Sequence, residues 1–138
     1  MSRSVITAAL VLLAAGAALA GCAKSNKDLL PGAVYAQMVP VYKNCELKDQ
    51  MGSESWGDEP DSYTKGQAWF FEVKESQDKL VAFYAQEFPN AEKIENEDGS
   101  VTFRIVPENA EPYEDVHITL RDNEVLIAED CRPGKIKN

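Results

Sequence analysis

The clearest rhythm in the chain runs through residues 67–73, Gln-Ala-Trp-Phe-Phe-Glu-Val. Trp69, Phe71 and Val73 fall on one parity, and Ala68, Phe70 and Glu72 on the other. Side chains alternate between faces along a strand, and aromatic and β-branched residues favour that conformation. Both parities carry apolar groups, so the pattern predicts a strand inside a sheet. The period then changes. Over residues 75–88, Val81, Tyr84, Ala85 and Phe88 recur at helical spacing, with Leu80 beside them. Ser76 is the predicted N-cap, Asp78 lies in the first turn where negative charge is favoured, and Pro89 ends the helix. So short a helix is stable only when its apolar stripe is buried on a sheet.

Strand periodicity returns downstream. Residues 91–106 read as a hairpin: a weak strand around Ile94, a turn at Asp98-Gly99, then Val101, Phe103 and Ile105 alternating with Thr102 and Arg104. After a polar loop, Val116, Ile118 and Leu120 alternate with His117, Thr119 and Arg121 as a half-buried strand. Asp122-Asn123 turns the chain, and Val125, Ile127, Glu129 and Cys131 share one face of the last strand. Upstream, residues 29–42 are apolar but broken by Pro31, Gly32 and Pro40, which forbid a long regular element. They are expected to lie extended along the domain, with Tyr35, Met38 and Val41 packed under the sheet. Residues 50–64 read as a long loop, a length that is usually functional or disordered. In it Trp56 is a candidate binding anchor, flanked by Glu54, Asp58, Glu59 and Asp61; the alternative is that Trp56 folds back on the core. The predicted architecture is α+β: an antiparallel-rich sheet of about five strands with one helix packed on one face.

The start of the chain has a different character. Arg3 supplies a positive charge, and residues 5–20 are apolar or small except for Thr7. Those sixteen residues would span about 24 Å as a helix, short of the roughly 30 Å hydrocarbon core. A basic start, a short apolar run and a small-residue exit describe a secretory signal. The exit, Leu19-Ala20-Gly21-Cys22, resembles a bacterial lipobox. That resemblance implies cleavage before Cys22 and diacylglycerol attachment to its thiol. It also implies that Ala23, where an Asp is absent, favours the outer membrane if there is one. The expected organisation is a signal peptide at 1–21, a tether at 22–28 and a single α+β domain at 29–138, held on the cell membrane or outer membrane and facing the periplasm or exterior. The competing reading is an uncleaved membrane helix with an incidental cysteine. A looser similarity, carried by Val81, Phe83 and Tyr84 on a helix after an aromatic strand, links the domain to small bacterial lipoprotein domains of unassigned function. It implies a fold and no activity.

Three cysteines occur, and lipidation of Cys22 would leave Cys45 and Cys131 as a pair. In an oxidising compartment the expectation is a disulfide, worth about 4–5 kcal/mol for so long a loop. Removing residues 1–21 loses Arg3 and no acid, so the net charge of −9 becomes −10. That balance argues against nucleic acid and against anionic headgroups as partners. It leaves a basic protein, a cationic small molecule, a divalent cation or plain solubility. Catalytic signals are lacking. The sole histidine, His117, is on the outward parity of a strand, and there is no Gly-x-Ser-x-Gly elbow, phosphate loop or zinc-ligand spacing. No metal site and no cofactor are expected. The acidic groups at Glu92/Glu95/Glu97/Asp98 and Glu108/Glu111/Glu114/Asp115 read as solvated surface. The sequence therefore points to a membrane-anchored, non-catalytic binding module with a basic protein as candidate partner. The alternatives are a carboxylate-dependent hydrolase of envelope glycans, which would need two carboxylates facing one cleft, or a purely structural envelope component.

Overall fold

The computed structural model describes residues 26–55 and 63–132. Trp56, Asp58, Glu59, Asp61 and the lipobox with Cys22 lie outside them. The described chain forms a helical turn α1 (Asn26–Leu29), a 3₁₀ turn (Ala36–Met38), a helix α2 (Gln77–Glu87) and six strands. The strands are β1 (Glu46–Ser55), β2 (Thr64–Glu72), β3 (Glu92–Glu95), β4 (Val101–Ile105), β5 (Asp115–Arg121) and β6 (Glu124–Cys131). They make one antiparallel sheet in the order β1-β2-β6-β5-β4-β3. The α+β expectation holds, with six strands in place of about five.

The additional strand is β1, which takes up the first part of the stretch expected to be a loop. It has no hydrophobic alternation because it is an edge strand, paired with β2 alone and exposed at every described position except half-buried Leu47. A bulge between Leu47 and Asp49, together with Lys48 and Asp49, discourages further pairing along that edge. β2 is interior as predicted, between β1 and β6. Helix α2 begins where the sequence placed it: the Ser76 hydroxyl caps the helix by accepting from Lys79 N at 3.3 Å. Leu80 and Tyr84 are buried, Val81 and Phe88 are half-buried, and Ala85 faces solvent.

Among the described residues, the hydrophobic core lies on one face of the sheet. Trp69, Phe71, Val116, Ile118, Leu120, Val125, Ile127 and Phe103 line it. Helix α2 covers its β4–β5 half, and the segment between α1 and β1 covers the β2–β6 half. That segment contributes Leu30, Ala33, Ala36, Val39 and Val41 to the core. Val41 is inside as expected and Tyr35 is half-buried, but Met38 turns outward at 42 % exposure. Two prolines leave the segment with few backbone partners of its own, so side chains of the sheet satisfy it. Trp69 Nε1 donates to Pro31 O at 3.1 Å, and Gln67 Nε2 to Gly32 O at 2.8 Å. The Glu129 carboxylate, 2 % exposed, accepts from Val34 N at 2.9 Å, Ala36 N at 2.7 Å and Gln67 Nε2 at 3.0 Å. At the other end Tyr84 Oη donates to Pro40 O at 2.9 Å and accepts from Tyr42 N at 3.2 Å, tying the segment to α2.

Two expectations are corrected here. Glu114 is not surface: at 2 % exposure it accepts from Tyr35 Oη, Glu111 N and Arg132 N at 2.7–2.8 Å. Cys45 and Cys131 do not form a disulfide; both are free thiols. Cys131 does face the packed layer, opposite Lys65. Cys45 precedes Glu46, which pairs with Glu72 at the other end of β2. Lys65 and Glu72 are seven positions apart along β2, about 23 Å at strand rise. A disulfide needs Cα atoms within about 7 Å. Burial pushes both thiols up to about 12, helped at Cys131 by the carboxylates of Glu129 and Glu114, so neither is a ready nucleophile.

Replacing Glu129 by Ala leaves the Val34 and Ala36 amides without their acceptor beneath a closed layer. Unsatisfied buried donors cost about 1–3 kcal/mol each. Glu129→Ala is therefore expected to lower the unfolding free energy by about 2–5 kcal/mol in urea denaturation. A loss below about 1 kcal/mol would show that the carboxylate does not hold the segment.

Candidate functional site

The opposite face of the sheet is crossed by no described element. Its composition follows from strand parity and register. The β5–β6 hairpin turns on Asp122-Asn123, with Asn123 at φ 63°, a left-handed conformation that Asn tolerates. A two-residue turn fixes the pairing outward from it: Arg121 opposite Glu124, Thr119 opposite Leu126, His117 opposite Ala128 and Asp115 opposite Asp130. All of these point away from the core. Neighbouring strands extend the rows. One row runs Ser53, Gly66, Asp130, Asp115; the next runs Met51, Ala68, Ala128, His117, Arg104, Glu92.

Where these rows meet, chemistry-bearing side chains converge. Arg104 Nε donates to Asp115 Oδ2 at 2.9 Å, and His117 Nε2 lies 3.4 Å from the same oxygen. Arg104 Nη1 also reaches Glu92 Oε1 at 3.7 Å. One atom each from Asp115, His117 and Asp130 lies within 4.8 Å of the others. Asp115 is the most enclosed of the first pair, at 13 % side-chain exposure against 36 % for His117. Among the described residues, nothing hydrogen-bonds to the Asp130 carboxylate; its close neighbours are charges.

Beside Asp130 the row holds Gly66, which has no side chain. A Cβ on Gly66 would lie 2.5 Å from Ser53 Oγ and 3.0 Å from Asp130 Oδ1, so a larger residue there would have to push these side chains aside. Gly66, Gly52, Ala68 and Ala128 floor a cleft of about 270 Å³ with Met51 and Ser53 on one side and Asp130 on the other. A larger cleft of about 730 Å³ lies at the far end of the sheet, among Tyr42, Lys43, Glu46, Glu72, Glu75 and Glu124. Its side chains carry both signs of charge, and Glu75 there is already engaged by Tyr42 Oη at 2.9 Å.

Burial raises the Asp115 carboxyl, but hydrogen bonds and charge from His117 and Arg104 outweigh it and hold the group below its ordinary range. The hydrogen bond to Asp115 holds His117 above its ordinary 6.5 against the opposing effect of burial. Asp130 is raised, first by burial and then by the Asp115 charge. Asp115 is clamped rather than available as a free acid, so this pair lends nothing to the glycan-hydrolase alternative.

Of the residues that sequence reading singled out for binding, only Glu54 is described. It sits exposed on β1 and accepts from Tyr63 Oη at 2.7 Å. It does not reach the Asp115–His117 group. The reading of His117 as an isolated strand histidine missed its neighbours, because Asp130 is thirteen residues away in the chain and Arg104 lies on another strand. Counting outward from the Asp122-Asn123 turn would have paired Asp115 with Asp130. No protein-family model, no curated protein and no solved structure matches this chain. Among the described residues, no helix is long and apolar enough to cross a membrane.

With a raised pKa, His117 contributes stability that is complete below pH 6.5 and is lost as pH rises through its folded-state value. Asp115 contributes above its ordinary 3.8, and that share is lost as pH falls through its lowered value. Since the chain has one histidine, its ring resonances report the site without assignment. In metal-free buffer, NMR titration is expected to give a His117 pKa above 6.5, and Asp115→Asn to bring it down. A value at or below 6.5 in the unaltered protein would contradict the contact.

Proposed function

We propose that this chain is an envelope lipoprotein, anchored through lipid on Cys22, whose domain is a non-catalytic binding module for a basic protein partner. The observation that supports it most is the one-sided packing of the sheet. The layer that buries the core lies on one face, and the other face presents Glu46, Asp49, Glu72, Glu92, Asp115, Glu124 and Asp130 against Lys48, Arg104, Arg121 and His117 among the described residues. A face on which carboxylates outnumber cations attracts a positively charged surface and speeds its encounter.

The anchor reading suits the way the domain begins. Leu30 is already core, at 1 % exposure. Eight residues from Cys22 to Leu30 reach at most about 28 Å when fully extended. A lipid on Cys22 would therefore hold the domain close to the leaflet, on the periplasmic or outer side of the cell membrane or outer membrane. Trp56 and its acidic neighbours join the proposed surface only as an expectation from sequence.

The experiment has two arms. Mass spectrometry of membrane-extracted protein is expected to find a chain starting at a lipidated Cys22, and Cys22→Ser to release it from the membrane fraction. An intact Met1 would contradict the anchor. A cationic protein such as an envelope hydrolase is expected to bind the mature chain at about 0.01 M ionic strength and to dissociate at about 0.15 M, as the Debye length falls from about 30 Å to about 8 Å. Glu72→Lys with Glu124→Lys should weaken the same binding. Binding that ignores both salt and charge reversal would contradict the electrostatic surface.

A further inference from the structure

We propose that Asp115, His117 and Asp130 form a binding site for one divalent transition-metal ion of the zinc class on the open face of the sheet. This goes beyond the binding-module reading and does not depend on the lipid anchor. The donors are of the right kind. Imidazole nitrogen and carboxylate oxygen are ordinary ligands for Zn²⁺ at about 2.0–2.2 Å. Ligands on a tetrahedral ion at that bond length are about 3.3–3.5 Å apart. The His117 Nε2 to Asp115 Oδ2 separation is 3.4 Å. The widest separation in the group of three is within 4.8 Å. Closing it asks for a side-chain rotation of Asp130, which no hydrogen bond among the described residues opposes.

The surroundings supply what a metal site needs beyond its ligands. Arg104 orients Asp115 through the 2.9 Å hydrogen bond and is itself steadied by Glu92. Outer-shell partners of this kind fix ligand orientation. A carboxylate oxygen has two lone pairs, so Asp115 can accept from Arg104 and still bind an ion. Gly66 puts no side chain between Ser53 and Asp130, where a Cβ would press on both. The cleft along Gly66 and Ala128 opens there, so an ion held by three protein ligands keeps a position for water or a further ligand. Three protein ligands with one open position is an open zinc site, unlike structural sites, which the protein closes with four ligands.

The test uses the full mature chain in detergent, stripped with chelator, with Zn²⁺ alone as the probe. Calorimetry is expected to give one equivalent bound at neutral pH. The ring resonances of His117 should move with the same stoichiometry, and Co²⁺ should give the visible bands of a low-coordinate ion. His117→Ala and Asp130→Asn should each weaken binding by at least about tenfold, while Cys45→Ser leaves it unchanged. Both weakening changes lie on the exposed face, and Asp130→Asn replaces a single oxygen, so folding can be verified by circular dichroism. No heat and unmoved histidine resonances at millimolar Zn²⁺ would overturn the proposal and leave a plain charge network. Equal binding by the parent and Asp130→Asn would overturn it as well.

Discussion

A single buried carboxylate decides how this domain is put together. Glu129 stands at an inward position of β6, among residues that otherwise bury hydrocarbon. A polar group buried there is tolerable only if hydrogen-bond donors surround it. Those donors are the backbone amides of Val34 and Ala36 and the side chain of Gln67. The requirement runs both ways. The segment before β1 has two prolines and no strand partner, so its amides need an acceptor as much as the carboxylate needs donors. Once that contact forms, Leu30, Ala36, Val39 and Val41 close the β2–β6 half of the core, and α2 closes the rest. Glu114 repeats the device at the neighbouring corner, holding Tyr35 and Arg132.

One consequence concerns the anchor and another the exposed face. Because the segment after the tether is part of the core, the proposed lipid would be joined to a segment whose side chains are buried. Pull on the tether would reach side chains that are buried in the core from Leu30 onward. Because both covering elements lie on the same side, the other side of the sheet keeps its polar residues in regular rows. Antiparallel pairing then does what sequence spacing could not: it aligns Ser53, Gly66, Asp130 and Asp115 across four strands.

What could be read from sequence followed the strength of the hydrophobic signal. Strands β2, β4, β5 and β6 and the helix α2 each bury a periodic set of residues, and each was predicted close to its observed place. Strand β1 was hidden because an edge strand exposed on both sides has no apolar period to show. Met38 misled because hydrophobicity was taken to mean burial, whereas the 3₁₀ turn directs Ala36 inward and Met38 outward. The disulfide failed for a geometric reason. Compartment and cysteine count bear on whether two thiols would be oxidised, but only strand register says that they sit at opposite ends of β2. The Asp115–His117–Asp130 group was overlooked in the same way, although its register was recoverable from the two-residue turn. Buried carboxylates are the hardest case, since nothing local distinguishes Glu129 or Glu114 from the acids that remain in water.

The dependence of the fold on the Glu129 clamp is tested most directly by native-state hydrogen exchange at the amides of Val34 and Ala36. Both donate to a carboxylate inside the core, in a segment with no strand ladder of its own. The account predicts that they exchange only through the global unfolding that also exposes the centre of β6, with protection to match. Exchange at the rate of an unstructured chain, while β6 stays protected, would show that the segment is not part of the core and would contradict the account at its base.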